Sequence, residues 1–114
     1  MFTYVCLGTD KLERAAAFYD AVLAPLGLSR CNTSGEVDWQ GWAGWGTYLD
    51  GGQTEMALWL CTPFDGRPAT VGNGTMVAFK AASPGAKMRA LLACGRTITL
   101  TSTPLTYVIS MATN

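Results

Sequence analysis

Apolar residues first cluster in a short run from Phe2, ended by Gly8 and Thr9, the pattern of a short buried strand. Asp10, with Glu13 three positions on, has the form of a capping box. From there Leu12, Ala15, Ala16, Tyr19, Val22, Leu23 and Leu26 recur at three- and four-residue steps, leaving Lys11, Glu13, Arg14 and Asp20 for solvent. This spacing predicts an amphipathic helix closing around Leu26, where Pro25 and Gly27 end the run. Leu28 to Thr33 reads as a strand and Asn32 to Val37 as a polar connection around Gly35. Gly41 to Leu49 and Glu55 to Cys61 read as two further strands joined by the turn Asp50-Gly51-Gly52.

Thr62 to Gly74, punctuated by Pro63, Gly66, Pro68 and Gly72, is a crossover. Beyond it the opening pattern returns. Gly74 to Lys80 is a strand, Ser83-Pro84 an N-cap with proline at the first helical position, and Met88, Leu91 and Leu92 before Gly95 a shorter helix. After Arg96 no charged residue remains, and Thr97 to Leu100 and Leu105 to Met111 read as strands broken by Pro104. Alternation along the strands turns Val5, Leu7, Leu58, Leu60, Val77 and Phe79 toward the helices. Tyr4, Trp59 and Met76 then share the opposite face.

Composition narrows the reading. At 114 residues, 49% hydrophobic and 14% charged, the chain suits one folded α+β domain with a low-charge surface disposed to self-association. Eight basic residues balance eight acidic ones, so there is no surplus to neutralise phosphates, and a nucleic-acid partner is not expected. No apolar run approaches the roughly 18 residues of a membrane span, and no basic stretch opens the chain; no membrane partner and a cytoplasmic location are expected. Cys6, Cys31, Cys61 and Cys94 form no CxxC pair and are expected to be buried, reduced thiols. Histidine is absent, which removes Ser-His and Cys-His nucleophile pairs and histidine-based zinc motifs. Gly72-Asn73-Gly74 lacks a following Lys-Ser/Thr pair and is a turn, not a phosphate loop.

Leu7-Gly8-Thr9-Asp10-Lys11-Leu12-Glu13-Arg14-Ala15 with Phe18 to Gly27 resembles the first strand and helix of the glyoxalase/bleomycin resistance/dioxygenase (vicinal oxygen chelate) superfamily. Pro63 to Thr70, Gly72 to Thr75 and Val77-Ala78-Phe79 are similar to the crossover and next strand of a bacterial glyoxalase-like branch. The resemblance implies paired βαβββ units: residues 1–61 as a complete unit, 62–73 as the crossover, and 74–114 as an incomplete second unit. A full unit takes about 55 to 60 residues, more than remain after Gly74. With the loss of charge after Arg96, a replaced C-terminal end is expected, and with it an open sheet edge and a homodimer.

The resemblance also implies a divalent metal held from the first and fourth strands of each unit. Those positions fall here on Tyr4, Trp59 and Met76, none a ligand for a hard or borderline ion, and the last carboxylate has no counterpart, since nothing acidic follows Asp65. No metal, no cofactor and no catalytic residue are therefore expected. Trp39, Trp42, Trp45 and Trp59 serve either packing or a cavity that stacks on a planar or cationic ligand; Trp42 and Trp45, three apart, face opposite ways, so one of them at most joins Trp59. The expected ligand-binding set is Tyr4, Trp59, Met76 and Trp45. Tyr4 is alternatively a buried hydrogen-bonded phenol, Glu55 a strand-end surface residue, and Asp10 and Glu13 caps. The leading expectation is a metal-free, non-catalytic small-molecule binding protein of this superfamily. The alternatives are a metal-dependent glyoxalase or dioxygenase-like enzyme, and a decayed member that folds and dimerises without a ligand.

Overall fold

The computed structural model describes residues 1–32, 40–70, 77–94, 99–100 and 106–109. The first half contains β1 (Tyr4–Gly8), α1 (Leu12–Leu23) continued by a 3-10 turn at Ala24–Leu26, β2 (Trp42–Leu49) and β3 (Thr54–Cys61). The second contains β4 (Val77–Lys80), α2 (Pro84–Cys94), β5 (Thr99–Leu100) and β6 (Thr106–Ile109). Among the described residues, no helix is long and apolar enough to cross a membrane.

Helix α1 buries Ala16, Tyr19, Val22 and Leu23, as its spacing predicts. Gly27, in the left-handed region at φ 79°, closes the following turn, and its N–H bonds to the carbonyl of Ala24. The start of the helix differs from expectation. The chain stays on the sheet as far as Thr9, whose N–H bonds to the carbonyl of Cys61, and the Thr9 hydroxyl accepts the N–H of Lys11. Lys11 is thus the N-cap and no side chain caps the first turn. Asp10 turns outward instead, where its carboxylate accepts the N–H of Ala69 at 2.8 Å and ties down the crossover. In α2 the expected cap is present, with the Ser83 hydroxyl accepting the N–H of Ala86. Among its described side chains Ala86 and Ala90 are buried, while Met88 is 56% exposed.

The first sheet has the order β1-β3-β2, with β1 parallel and β2 antiparallel to β3. The strand expected from Leu28 is reduced among the described residues to one bridge, Arg30 to Trp45, flanked by bonds from Cys31 N–H to Gly44 and from Gly46 N–H to Ser29. The polar connection expected around Gly35 lies outside the described residues. The second sheet has the order β4-β6-β5, antiparallel throughout. The two sheets differ for a topological reason. A crossover helix returns the chain in its original direction, and each later hairpin reverses it. Three segments after α1 bring β3 back parallel to β1, whereas two strands after α2 leave β6 antiparallel to β4. Among the described residues the second unit is one strand short of the first, and the fold is α+β with paired units, consistent with an incomplete second.

Leu7, Ala43, Trp45, Leu58 and Leu60 meet Ala16, Tyr19, Val22 and Leu23 in the core between the first sheet and α1, and Phe79 packs against it from the second half. Leu26 links to Ala81 and Ala86, which joins α1 to α2. Val5, expected to face the helix, is 38% exposed because it lies near the open end of β1.

One polar knot fixes α1 on the sheet. Asp20 Oδ1 accepts the indole N–H of Trp45 at 2.8 Å and Nε of Arg30 at 2.9 Å, while Oδ2 accepts Nη2 of Arg30 at 3.1 Å. The guanidinium also lies over the Trp45 ring, 5.1 Å from its centroid. Hydrogen bonding from Arg30, helped by Trp45 and opposed by burial, holds the Asp20 carboxyl below its ordinary value. A carboxyl more acidic when folded contributes stability above its unfolded value, about 3.9, and loses it as pH falls through the folded value. Asp20→Asn is therefore expected to cost about 1 kcal/mol at neutral pH, a figure discounted for the exposure of the pair. The gap from wild type in urea midpoints should close as pH drops below the carboxylate range.

Candidate functional site

The pairing registers sort the strand residues onto two faces. Tyr4 pairs with Ala57, Cys6 with Trp59, and Trp59 with Gly44, while Trp42 pairs with Cys61 and Tyr48 with Glu55. All of these point away from α1, because Leu7, Ala43, Trp45, Leu58 and Leu60 point toward it. Tyr4 and Trp59 thus share the outer face, as alternation predicts.

Trp59 lies at the centre of this face and is 2% exposed. It lies flat across Gly44, where a Cβ would overlap the six-membered part of the indole. Its N–H donates to Glu55 Oε1 at 2.6 Å. Trp42 and Tyr48 stand edge-on to it, with centroids at 6.3 and 5.5 Å and interplanar angles of 78° and 88°. Phe64, from the crossover, packs on Trp42 at 5.5 Å and is itself 82% exposed. The face therefore presents a graded aromatic cluster, sealed at Trp59 and open at Phe64.

Tyr4 is 53% exposed, so it is not the buried phenol that was the alternative for it. Trp45, expected to join the ligand-binding set, is on the other side of the sheet. It is 1% exposed, stacked on Tyr19 at 5.3 Å and bonded to Asp20. The tryptophan that does reach Trp59 is Trp42, which the pairing of Gly44 with Trp59 sets on the same face. Met76 and Trp39 lie outside the described residues. Glu55 is half-buried and bonded to Trp59, where a strand-end surface position was expected; its parity with Trp59, four residues on in the same strand, is the signal that points to the contact.

The cysteines depart from expectation too. Cys61 is buried, but Cys6 and Cys31 are half-exposed and all three are free thiols. Cys6 and Cys61 approach to 3.2 Å, sulfur to sulfur, on the outer face. Burial, the hydrogen bond to Cys61 and its charge push the Cys6 thiol up to about 12. Burial and the nearby charge of Glu55 raise Cys31.

No protein-family model matches the chain, and no curated protein matches it. Among solved structures, a glyoxalase/bleomycin resistance protein from Albidiferax ferrireducens T118 matches at a TM-score of 0.64 and 30% identity, over 82% of this chain and 67% of that one. The chain belongs to the glyoxalase/bleomycin resistance protein superfamily.

The superfamily's metal does not fit the residues that this glyoxalase-like chain places at the corresponding positions. Trp59 offers a single polar atom, an N–H donor already given to Glu55. Tyr4 has only a phenol, and among the described residues no group of three or more Cys, Asp or Glu comes together. At Trp59, where the resemblance sets a metal-ligand position, an indole fills the space over Gly44.

The close approach at Gly44 gives a direct test. Gly44→Ala is expected to push Trp59 out of its bed and break its bond to Glu55, costing about 1 to 3 kcal/mol. A red shift of tryptophan emission with a lowered Tm would register it; an unchanged spectrum would show that the ring does not rest on Gly44.

Proposed function

We propose that this protein is a non-catalytic small-molecule binding member of the glyoxalase/bleomycin resistance superfamily, working without the superfamily's divalent metal and taking a planar or cationic organic ligand. The observation that carries this reading is the replacement of metal ligands by the Trp59 cluster. An indole N–H and a phenol do not supply the Lewis acidity of a divalent ion, whereas stacked rings recognise flat, delocalised or positively charged groups at about 0.5 to 2 kcal/mol per contact. Trp59 is sealed, so the ligand meets Trp42 and Phe64 first, with Tyr4 on the same face. The half-buried carboxylate of Glu55 behind the cluster favours a cation over an anion.

The active partner is proposed to be a homodimer. Phe2, Tyr4, Met56 and Phe64 are large apolar side chains more than half exposed, and β1 is an edge strand of its sheet among the described residues. A second copy laid along that edge would wall the open side of the aromatic cluster.

Three measurements test the reading. Titration with planar and cationic aromatic compounds should quench tryptophan emission saturably, and Trp42→Ala should weaken binding about tenfold, the equivalent of one lost stacking contact; no saturable response across a broad library would reject the ligand. Metal analysis of purified protein should find no stoichiometric Ni, Zn, Fe or Mn, and finding one would restore the enzyme reading. Sedimentation at tens of micromolar should give the dimer mass, and a monomer would overturn the assembly.

A further inference from the structure

The outer face carries a second chemistry that the aromatic cluster does not use. Cys6 on β1 and Cys61 on β3 bring their sulfurs to 3.2 Å, far apart in sequence and adjacent in space through parallel pairing of the two strands. Cys6 is half-exposed, so the pair is reached from solvent through it, while Cys61 is closed over.

A direct disulfide is not what this placement favours. Cys6 stands opposite Trp59, and Cys61 is two residues further along β3, so the pair is diagonal. Diagonal neighbours in a sheet have Cα atoms about 7 to 8 Å apart, beyond the roughly 6.8 Å that a disulfide spans. The side chains lean together to make the thiol contact, and an ion held between them parts the sulfurs, with the half-exposed Cys6 the one that turns. Such a pair suits a guest inserted between the sulfurs.

Three properties of the pair select the guest. The donors are two sulfurs, which prefer soft ions. The described surroundings add no third protein ligand, so ions that demand four, such as Zn2+, are poorly served. Charge decides the rest. Every influence on Cys6 favours the neutral thiol, so a site that ended with net charge would pay the cost of burying it. Two thiols are neutral. When a divalent ion binds, each thiol releases its proton, each sulfur donates a lone pair, and two thiolates with one divalent cation are neutral again. A monovalent ion would leave the site with one negative charge.

We infer that Cys6 and Cys61 form a two-thiolate binding site for a soft divalent ion content with two sulfur ligands, of which mercuric ion is the representative. The pair lies on the same face as Tyr4 and Trp59, with Cys6 directly opposite Trp59, but uses its own two sulfurs and does not rest on ligand binding by the aromatic cluster.

The test uses the full chain, reduced, with Cys31→Ser and Cys94→Ser to leave one pair, titrated with mercuric chloride against excess monothiol. The expected result is one ion retained per chain against the monothiol and, in a parallel titration without it, a thiolate-to-mercury absorption band in the ultraviolet with two protein thiols lost and two protons released per ion. Cys6→Ala, at a half-exposed position, should lower affinity about a hundredfold or more, the loss of the chelate, with the far-ultraviolet circular dichroism unchanged. Cys61→Ala should do the same. Two ions per chain, or undiminished affinity in the folded Cys6→Ala variant, would overturn the site. Zinc binding as tightly as mercury would overturn its two-coordinate character. These readouts involve no organic ligand, so their failure leaves the aromatic reading standing, and the reverse also holds.

Discussion

The Asp20 carboxylate is the contact on which the rest of the first unit depends. A helix laid on a sheet by apolar contacts alone is free to slide and rotate, because such contacts carry little direction. Asp20 removes that freedom by accepting from Trp45 in β2 and from Arg30 in the segment bridged to β2. With Trp45 held, its ring stacks on Tyr19 and completes the core. Holding Trp45 inward also sets the parity of β2, and with it the outward direction of Trp42, Gly44 and Tyr48. The aromatic cluster on one face is thus placed by an ion pair on the other.

The elements legible in the sequence are those whose pattern is local. Helix α1 follows from three- and four-residue spacing, β2 and β3 from apolar runs about a glycine turn, and the start of α2 from Ser83 and Pro84. Features set by long-range contact are missed. Asp10 has the sequence context of a cap, but the bond from Thr9 to Cys61 carries the strand one residue further and leaves Asp10 to Ala69, a partner 59 residues away. The strand expected after Leu28 is cut to a bridge. Helix α2 meets the 3-10 turn at Leu26 through Ala86, a contact that the apolar run of Met88, Leu91 and Leu92 does not announce.

The outer face was legible in part for the same reason. Alternation brings Tyr4 and Trp59 to one side, while the choice of Trp42 over Trp45 needs the register that pairs Gly44 with Trp59. The contacts of Glu55, Phe64 and the thiol pair depend on strand register and on a crossover folding back, which one-dimensional spacing does not encode. Register turns four residues of separation in β3 into a hydrogen bond, and fifty-five residues between Cys6 and Cys61 into sulfur contact.

The bed of Trp59 on Gly44 has a consequence for the history of the fold. In the superfamily pattern the Trp59 position bears a carboxylate. Returning one there by Trp59→Glu would empty the space above Gly44 and set a second carboxylate in the same strand beside Glu55, which has just lost its indole partner. The way back therefore runs through a chain with a hole and two unpaired negative charges. Glycine, indole and glutamate are thus mutually dependent: none of the three can change alone without leaving a gap or an unpaired group in the bed.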